Sequence, residues 1–358
     1  MTMDFEIPAD ARELAGLVRQ ITDDQLSQQR LRSLDAATER FDAKLWSALA
    51  AAEVLGADLG TEGDAAVLVE LGRCVAPVPY LWSVAVAARA LAQFGRAELA
   101  DEIAAGRLIA AVALTEDLND LPEAPTTSAR RVDGGWELDG AKAVVPHGTI
   151  AELFLVPAAT DDGARVFLVR RADAGVGIEG QTVVDGDAEA SLELAGVRVD
   201  DEAVLGGPEV LPWLIARAIA GLCAQQLGVL ERALELTAAY ARERKQFDRP
   251  IGSFQAVAQR LADAYIDVEA VRLTTWEAVW RLGAGLPASA ELATAKFWAA
   301  DAGHRVAHTA VHVHGGTGID MEGSLHRYFV AAKRAEFTLG GATAHLRRLG
   351  AELAAAPA

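Results

Sequence analysis

The texture of the chain changes twice, and those changes constrain the fold more than any single residue. Over about residues 8–108 apolar side chains recur at helical spacing, as at Leu45, Leu49, Ala52 and Leu55. Pro77 and Pro79 break one helix before Tyr80 opens another. Between about 109 and 206 short β-branched runs such as Val144-Val145, Leu153-Phe154-Leu155-Val156 and Val166-Phe167-Leu168-Val169 alternate with turn residues. Asp133-Gly134-Gly135 and Asp139-Gly140 are turn signals flanking Trp136-Glu137-Leu138, which reads as a hairpin strand. From about 208 helical spacing returns in longer segments. Leu261, Tyr265, Val268, Val271, Val279 and Leu282 form one expected buried stripe, and a second helix runs from about Ala288 to Val313. The expectation is an α+β fold: an N-terminal helical domain (1–108), a middle antiparallel β-sheet domain (109–206) and a C-terminal helical bundle (207–358).

Charge and composition narrow the function. Across 358 residues, 51 acids against 33 lysines and arginines give a net charge of −18, which argues against binding a phosphate backbone. Two cysteines, Cys74 and Cys223, are too few for a disulfide framework or a thiolate metal site. Met1-Thr2-Met3-Asp4-Phe5-Glu6 lacks the basic and apolar regions of a signal peptide, and no stretch reads as long and apolar enough to span a bilayer. A soluble, reduced, cytoplasmic protein is expected, with neither nucleic acid nor membrane as partner.

Two patterns in the last region carry chemistry. In Arg244-Lys245-Gln246-Phe247-Asp248-Arg249-Pro250-Ile251-Gly252-Ser253-Phe254-Gln255, a guanidinium sits near a helix end and Pro250 and Gly252 make a turn. Ser253 reads as the N-cap of the next helix. Such a turn suits an anion such as pyrophosphate, although an ordinary helix connection with a solvated arginine has the same look. In His312-Val313-His314-Gly315-Gly316-Thr317-Gly318, paired glycines after a helix allow a phosphate-bearing group close to the backbone, or simply end the helix.

Taken with the helix–sheet–helix order, these patterns resemble the acyl-CoA dehydrogenase family over nearly the whole chain. Arg73–Tyr80, Leu114-Thr115-Glu116, Leu138-Asp139-Gly140-Ala141-Lys142 and Val197–Gly206 fall where the family has its corresponding segments. The resemblance implies a C-terminal four-helix bundle. It also implies FAD, with Arg244, Phe247 and Gln255 at its adenosine pyrophosphate and His312, Gly315 and Gly316 lining the same adenine-end pocket. That flavin would be held mainly by a neighbouring subunit, and an electron-transfer flavoprotein would accept the electrons.

Departures from the family pattern matter as much. Family members remove an α-proton with a glutamate while the β-hydride goes to the flavin, and a positioned base is required. The segment that carries the base reads Phe337-Thr338-Leu339-Gly340-Gly341-Ala342-Thr343, with Gly340 at the base position. The alternative base position of some relatives falls near Ala218. After Thr115-Glu116 the glycine-containing flavin loop is replaced by Asp117-Leu118-Asn119-Asp120. The tryptophan and threonine that cover the ring are replaced by Ala143-Val144-Val145-Pro146. Asp301, His304, His308 and His312 share a helix face, but the simpler expectation is that His304 and His308 pack in the bundle, with no metal and no catalytic residue in this chain. What the resemblance implies is the base-lacking subunit of a heteromeric dehydrogenase, akin to actinobacterial enzymes for steroid-derived CoA thioesters, with the acyl-CoA bound mainly by a catalytic partner. A self-sufficient homo-oligomer using Glu336 as a displaced base, and a flavin-free scaffold, are the alternatives.

Overall fold

The computed structural model describes residues 7–119 and 122–355, so the Met1–Glu6 segment and Asp120 discussed above lie outside the described residues. The chain begins with α1 (Ala9–Gln25), α2 (Gln28–Asp35), α3 (Ala43–Ala51) and α4 (Gly60–Arg73). A buried π-helical stretch, Tyr80–Ala88, follows and runs into α5 (Arg89–Gln93) and α6 (Ala97–Ala104). Eight strands come next: β1 (Ala110–Val112), β2 (Ser128–Val132), β3 (Gly135–Val145), β4 (Leu153–Thr160), β5 (Gly163–Arg170), β6 (Val176–Gln181), β7 (Glu189–Val199) and β8 (Val204–Leu205). The helical part then comprises α7 (Val210–Glu243), a ribbon of β9 (Lys245–Gln246) and β10 (Arg249–Pro250), α8 (Gln255–Gly283), α9 (Ser289–His314), α10 (Leu325–Phe337) and α11 (Ala342–Ala355).

The chain packs as two compact units. One contains Gln29–Asp58 and Pro77–Ala218, built on the sheet in the order β6-β7-β3-β2-β4-β5-β8, with β1 also on β4. Leu138, Phe154, Phe167 and Leu192 lie in its core, and Trp136 meets Phe167 edge-on with centroids 5.4 Å apart. The sheet is mixed rather than purely antiparallel. Strand β4 pairs parallel with β1 along Ala110–Val112 and with β2 at Ser128. Asp139-Gly140 is no turn; it lies inside β3 at a register shift. Gly140 has φ +144°, and a Cβ there would stand 2.8 Å from Thr127 Cα, so this glycine marks a close approach of two backbones.

The other unit contains the described residues up to Gln28, Leu59–Ala76 and those from Ile219 onward. Helices α4 and α7 touch backbone to backbone: a Cβ on Gly228 would lie 1.9 Å from Val69 O. Buried Gln226 donates to Ala299 O and Ala332 O, tying α7 to α9 and α10. Tyr265 departs from the expected stripe and is 59% exposed, because it sits about 100° round the helix from buried Ala264. Against the sequence reading, α7 is long and apolar enough, by length and composition, to cross a membrane. Its apolar window is 78% buried inside the protein, as in a core helix.

Candidate cofactor site and base position

The arginine turn is a hairpin. Helix α7 stops at Glu243, and Arg244 N still donates to Tyr240 O at 2.8 Å. Phe247 and Asp248 take φ of +52° and +61° between the two short strands, and Ile251 N closes the hairpin on Arg244 O at 2.8 Å. The turn throws Phe247 outward to 88% exposure. Arg249 lies over the ring of Phe254 at 4.1 Å, and Phe254 meets Phe247 edge-on. Ser253 is not the N-cap: its hydroxyl donates back to Pro250 O, and Phe254 precedes the first residue of α8, exposed Gln255. The Arg244 guanidinium is exposed and has no side-chain partner among the described residues.

The glycine turn reaches the base of this hairpin through a contact that the sequence reading missed. Tyr240, one helical turn before Arg244, stacks on His314 with centroids 4.3 Å apart. His314 Nδ1 lies 2.9 Å from Ala310 O, and burial lowers its pKa. Gly315 follows with φ +64°, and Cβ atoms on Gly315 or Gly316 would meet nothing within 4 Å. His312 stands exposed near the end of the same helix. The only signal for Tyr240 was its place four residues before Arg244. A free guanidinium, an exposed aromatic ring and an uncovered glycine backbone fit the adenosine pyrophosphate end of a dinucleotide.

Gly340, at the base position that the resemblance implies, has φ +97°, where side chains are rarely accommodated. The turn around it is held from beneath. Buried Lys296 donates to Ala335 O at 3.0 Å, Glu336 O at 3.3 Å and Gly340 O at 2.8 Å, and burial brings its pKa down to about 8. His345 Nε2 lies 2.8 Å from Leu339 O, and burial lowers that imidazole to about 4. Ala218 is fully buried. Glu336 is engaged by Lys333 at 2.5 Å and by His304 at 3.3 Å. His304 and His308 are exposed rather than packed in the bundle, because they occupy the outer face of α9 while Val306 and Ala307 take the buried one. Lys333 Nζ lies 3.0 Å from His304 Nδ1, and Asp301 pairs with Arg305. No metal-holding cluster occurs among the described residues.

In the sheet, the segments that the resemblance places beside a flavin ring hydrogen-bond among themselves. Both oxygens of buried Glu116 are saturated: Lys142 Nζ, Thr127 N and Thr127 Oγ1 serve one, and Thr126 N, Thr126 Oγ1 and Asn119 Nδ2 the other, all within 2.6–3.0 Å. Burial alone would raise this carboxyl, but Lys142 and the threonine donors outweigh it and hold its pKa well below the usual range. Ala143 N donates to Thr115 O, and Val144 N to Gln181 Oε1. Pro146 has no N–H.

Residues 207–354 match the acyl-CoA dehydrogenase C-terminal domain. Acyl-CoA dehydrogenase FadE27 of Mycobacterium tuberculosis is 47% identical, with 99% of this chain and 100% of that protein covered. A chain of the ChsE4-ChsE5 complex from Mycobacterium tuberculosis superposes with a TM-score of 0.95 at 47% identity, covering 99% of this chain and 100% of that one. A chain of the Tcur3481-Tcur3483 steroid ACAD, in a variant form, gives a TM-score of 0.92 at 40% identity, covering 98% and 100%.

Proposed function

The chain belongs to the acyl-CoA dehydrogenase family, and from that premise we propose that it is the base-lacking subunit of a heteromeric enzyme desaturating CoA thioesters of steroid-derived acids. The observation that carries this reading is Gly340: the base position holds a left-handed glycine in a turn fastened by Lys296 and His345, and Ala218 offers no carboxylate either. Support for the heteromer comes from relatives that are themselves complexes of two differently named chains, one of them a steroid ACAD.

A catalytic partner would bind the acyl-CoA and supply the glutamate. FAD, when bound, supplies the hydride acceptor. This chain's Arg244 would pair with its pyrophosphate, Phe247 and Gln255 would hold the adenosine, and the Gly315-Gly316 turn with His312 would line the adenine end. On this reading the internally bonded Glu116 and the missing N–H of Pro146 make the chain's own sheet a poor seat for the flavin ring. An electron-transfer flavoprotein would accept the electrons, in the cytoplasm.

Expression alone and with an intact family member tests the reading, with flavin counted by absorbance and desaturation followed with an artificial acceptor. The chain alone should be colourless and inactive; the complex should be yellow, with fewer flavins than chains. Turnover by the isolated chain would overturn the reading and restore Glu336 as a base.

A further inference from the structure

Within the unit that holds α8–α11 and α7 from Ile219 onward, a cavity of about 310 Å³ opens between α1, α4, α7 and α8. Its space comes from small residues: Ala15 and Gly16 face it from α1, and a Cβ on Gly16 would meet nothing within 4 Å. Ala66, Val69 and Leu227 form an apolar wall, and Trp276, 9% exposed, forms another side. That volume is at the lower end of small-molecule sites.

The arginines on the rim differ in their partners. Arg19 is held by both oxygens of Glu70, at 2.6 and 2.9 Å, and Arg272 by Glu231 at 2.6 Å and Glu269 at 3.2 Å. Arg12, four residues before Gly16 and seven before Arg19, shares their face of α1, and its guanidinium has no partner among the described residues. Of the three arginines that line the cavity, Arg12 is thus the one without a carboxylate partner among the described residues.

We propose that this cavity binds a small organic monocarboxylate with a compact apolar body. The carboxylate pairs with Arg12, and the body lies between the apolar wall and Trp276. A free amine would meet the like charge of Arg12, and a dicarboxylate would bring one charge more than Arg12 can neutralise. Apolar burial supplies most of the affinity, because a solvent-facing ion pair adds little, and the ion pair supplies the selectivity.

Cyclohexanecarboxylate is a suitable probe, titrated into the full-length chain and followed by calorimetry and tryptophan fluorescence. Saturable binding is expected, with the fluorescence response lost in Trp276→Phe. Affinity should fall about three- to tenfold in Arg12→Gln, and by a similar factor when the uncharged amide replaces the acid; Arg12→Lys should recover most of it. Absence of saturable binding, or equal affinities for acid, amide and the Arg12→Gln chain, would overturn the proposal. So would binding that appears only after residues 2–6 are deleted, which would make the cavity a seat for the chain's own acidic N-terminal residues. Neither Arg12 nor Trp276 belongs to the cofactor site, so the result is independent of flavin.

Discussion

At the scale of single residues, Gly340 shows what a glutamate introduced at that turn would meet. A Cβ there would stand 3.2 Å from His345 Nε2 and 3.3 Å from Ala344 Cβ, on a backbone at φ +97°. Gly340→Glu should therefore lower stability by about 1–3 kcal/mol and confer no desaturase activity on the isolated chain. Thermal unfolding and turnover with an artificial acceptor read both effects, and activity near that of a complete dehydrogenase would show that the turn adapts. The clamp itself titrates. His345 falls from an ordinary 6.5 to about 4 on folding, so the unfolded chain takes up its proton first as pH drops. Its contribution is intact above about pH 6.5 and is lost progressively towards pH 4, up to about 3 kcal/mol. Urea midpoints at pH 7 and 4.5 should show this loss, and His345→Gln should flatten the dependence across that window.

At the scale of elements, the hairpin after α7 carries strain that one substitution can relieve. Phe247 and Asp248 both occupy the left-handed region, where a two-residue hairpin turn prefers Asn-Gly. Asp248→Gly should stabilise the chain by about 0.5–1 kcal/mol in urea unfolding while leaving Phe247 in place. A destabilised variant would mean that Asp248 makes the turn rather than merely tolerating it. The same hairpin marks how far the sequence reaches. Residue type and spacing mark Arg244 and the Gly315-Gly316 pair as an anion-suited pattern, whereas Phe247 is pointed to by the family resemblance alone. The Tyr240–His314 stack is not legible there, because it joins two residues more than seventy positions apart, on different helices. Asp139-Gly140 read as a turn because glycine marks sharp turns and close backbone contacts with the same letters; only pairing with β2 and β7 tells them apart. Likewise the π-helical form of Tyr80–Ala88 leaves no periodic trace in a segment buried on every side.

At the scale of the whole molecule, the shared-cofactor reading stands or falls on Arg244 in the assembled complex. Its guanidinium is exposed and has no side-chain partner among the described residues, so no fold-stabilising ion pair is lost with it. A pyrophosphate would receive charge-assisted hydrogen bonds from it that a smaller side chain cannot replace. Arg244→Ala should therefore weaken flavin retention by about 1.5–3 kcal/mol if one such bond is lost. That is about one to two decades in dissociation constant, measured by flavin release from the purified complex. Thermal unfolding of the isolated chain should barely move, within about 0.5 kcal/mol, as at most exposed positions. Because the catalytic base belongs to the partner on this reading, excess FAD should restore much of the activity. Unchanged flavin affinity in a correctly assembled mutant would place the cofactor away from this hairpin. Loss of activity that added flavin cannot rescue would instead give Arg244 a role in assembly.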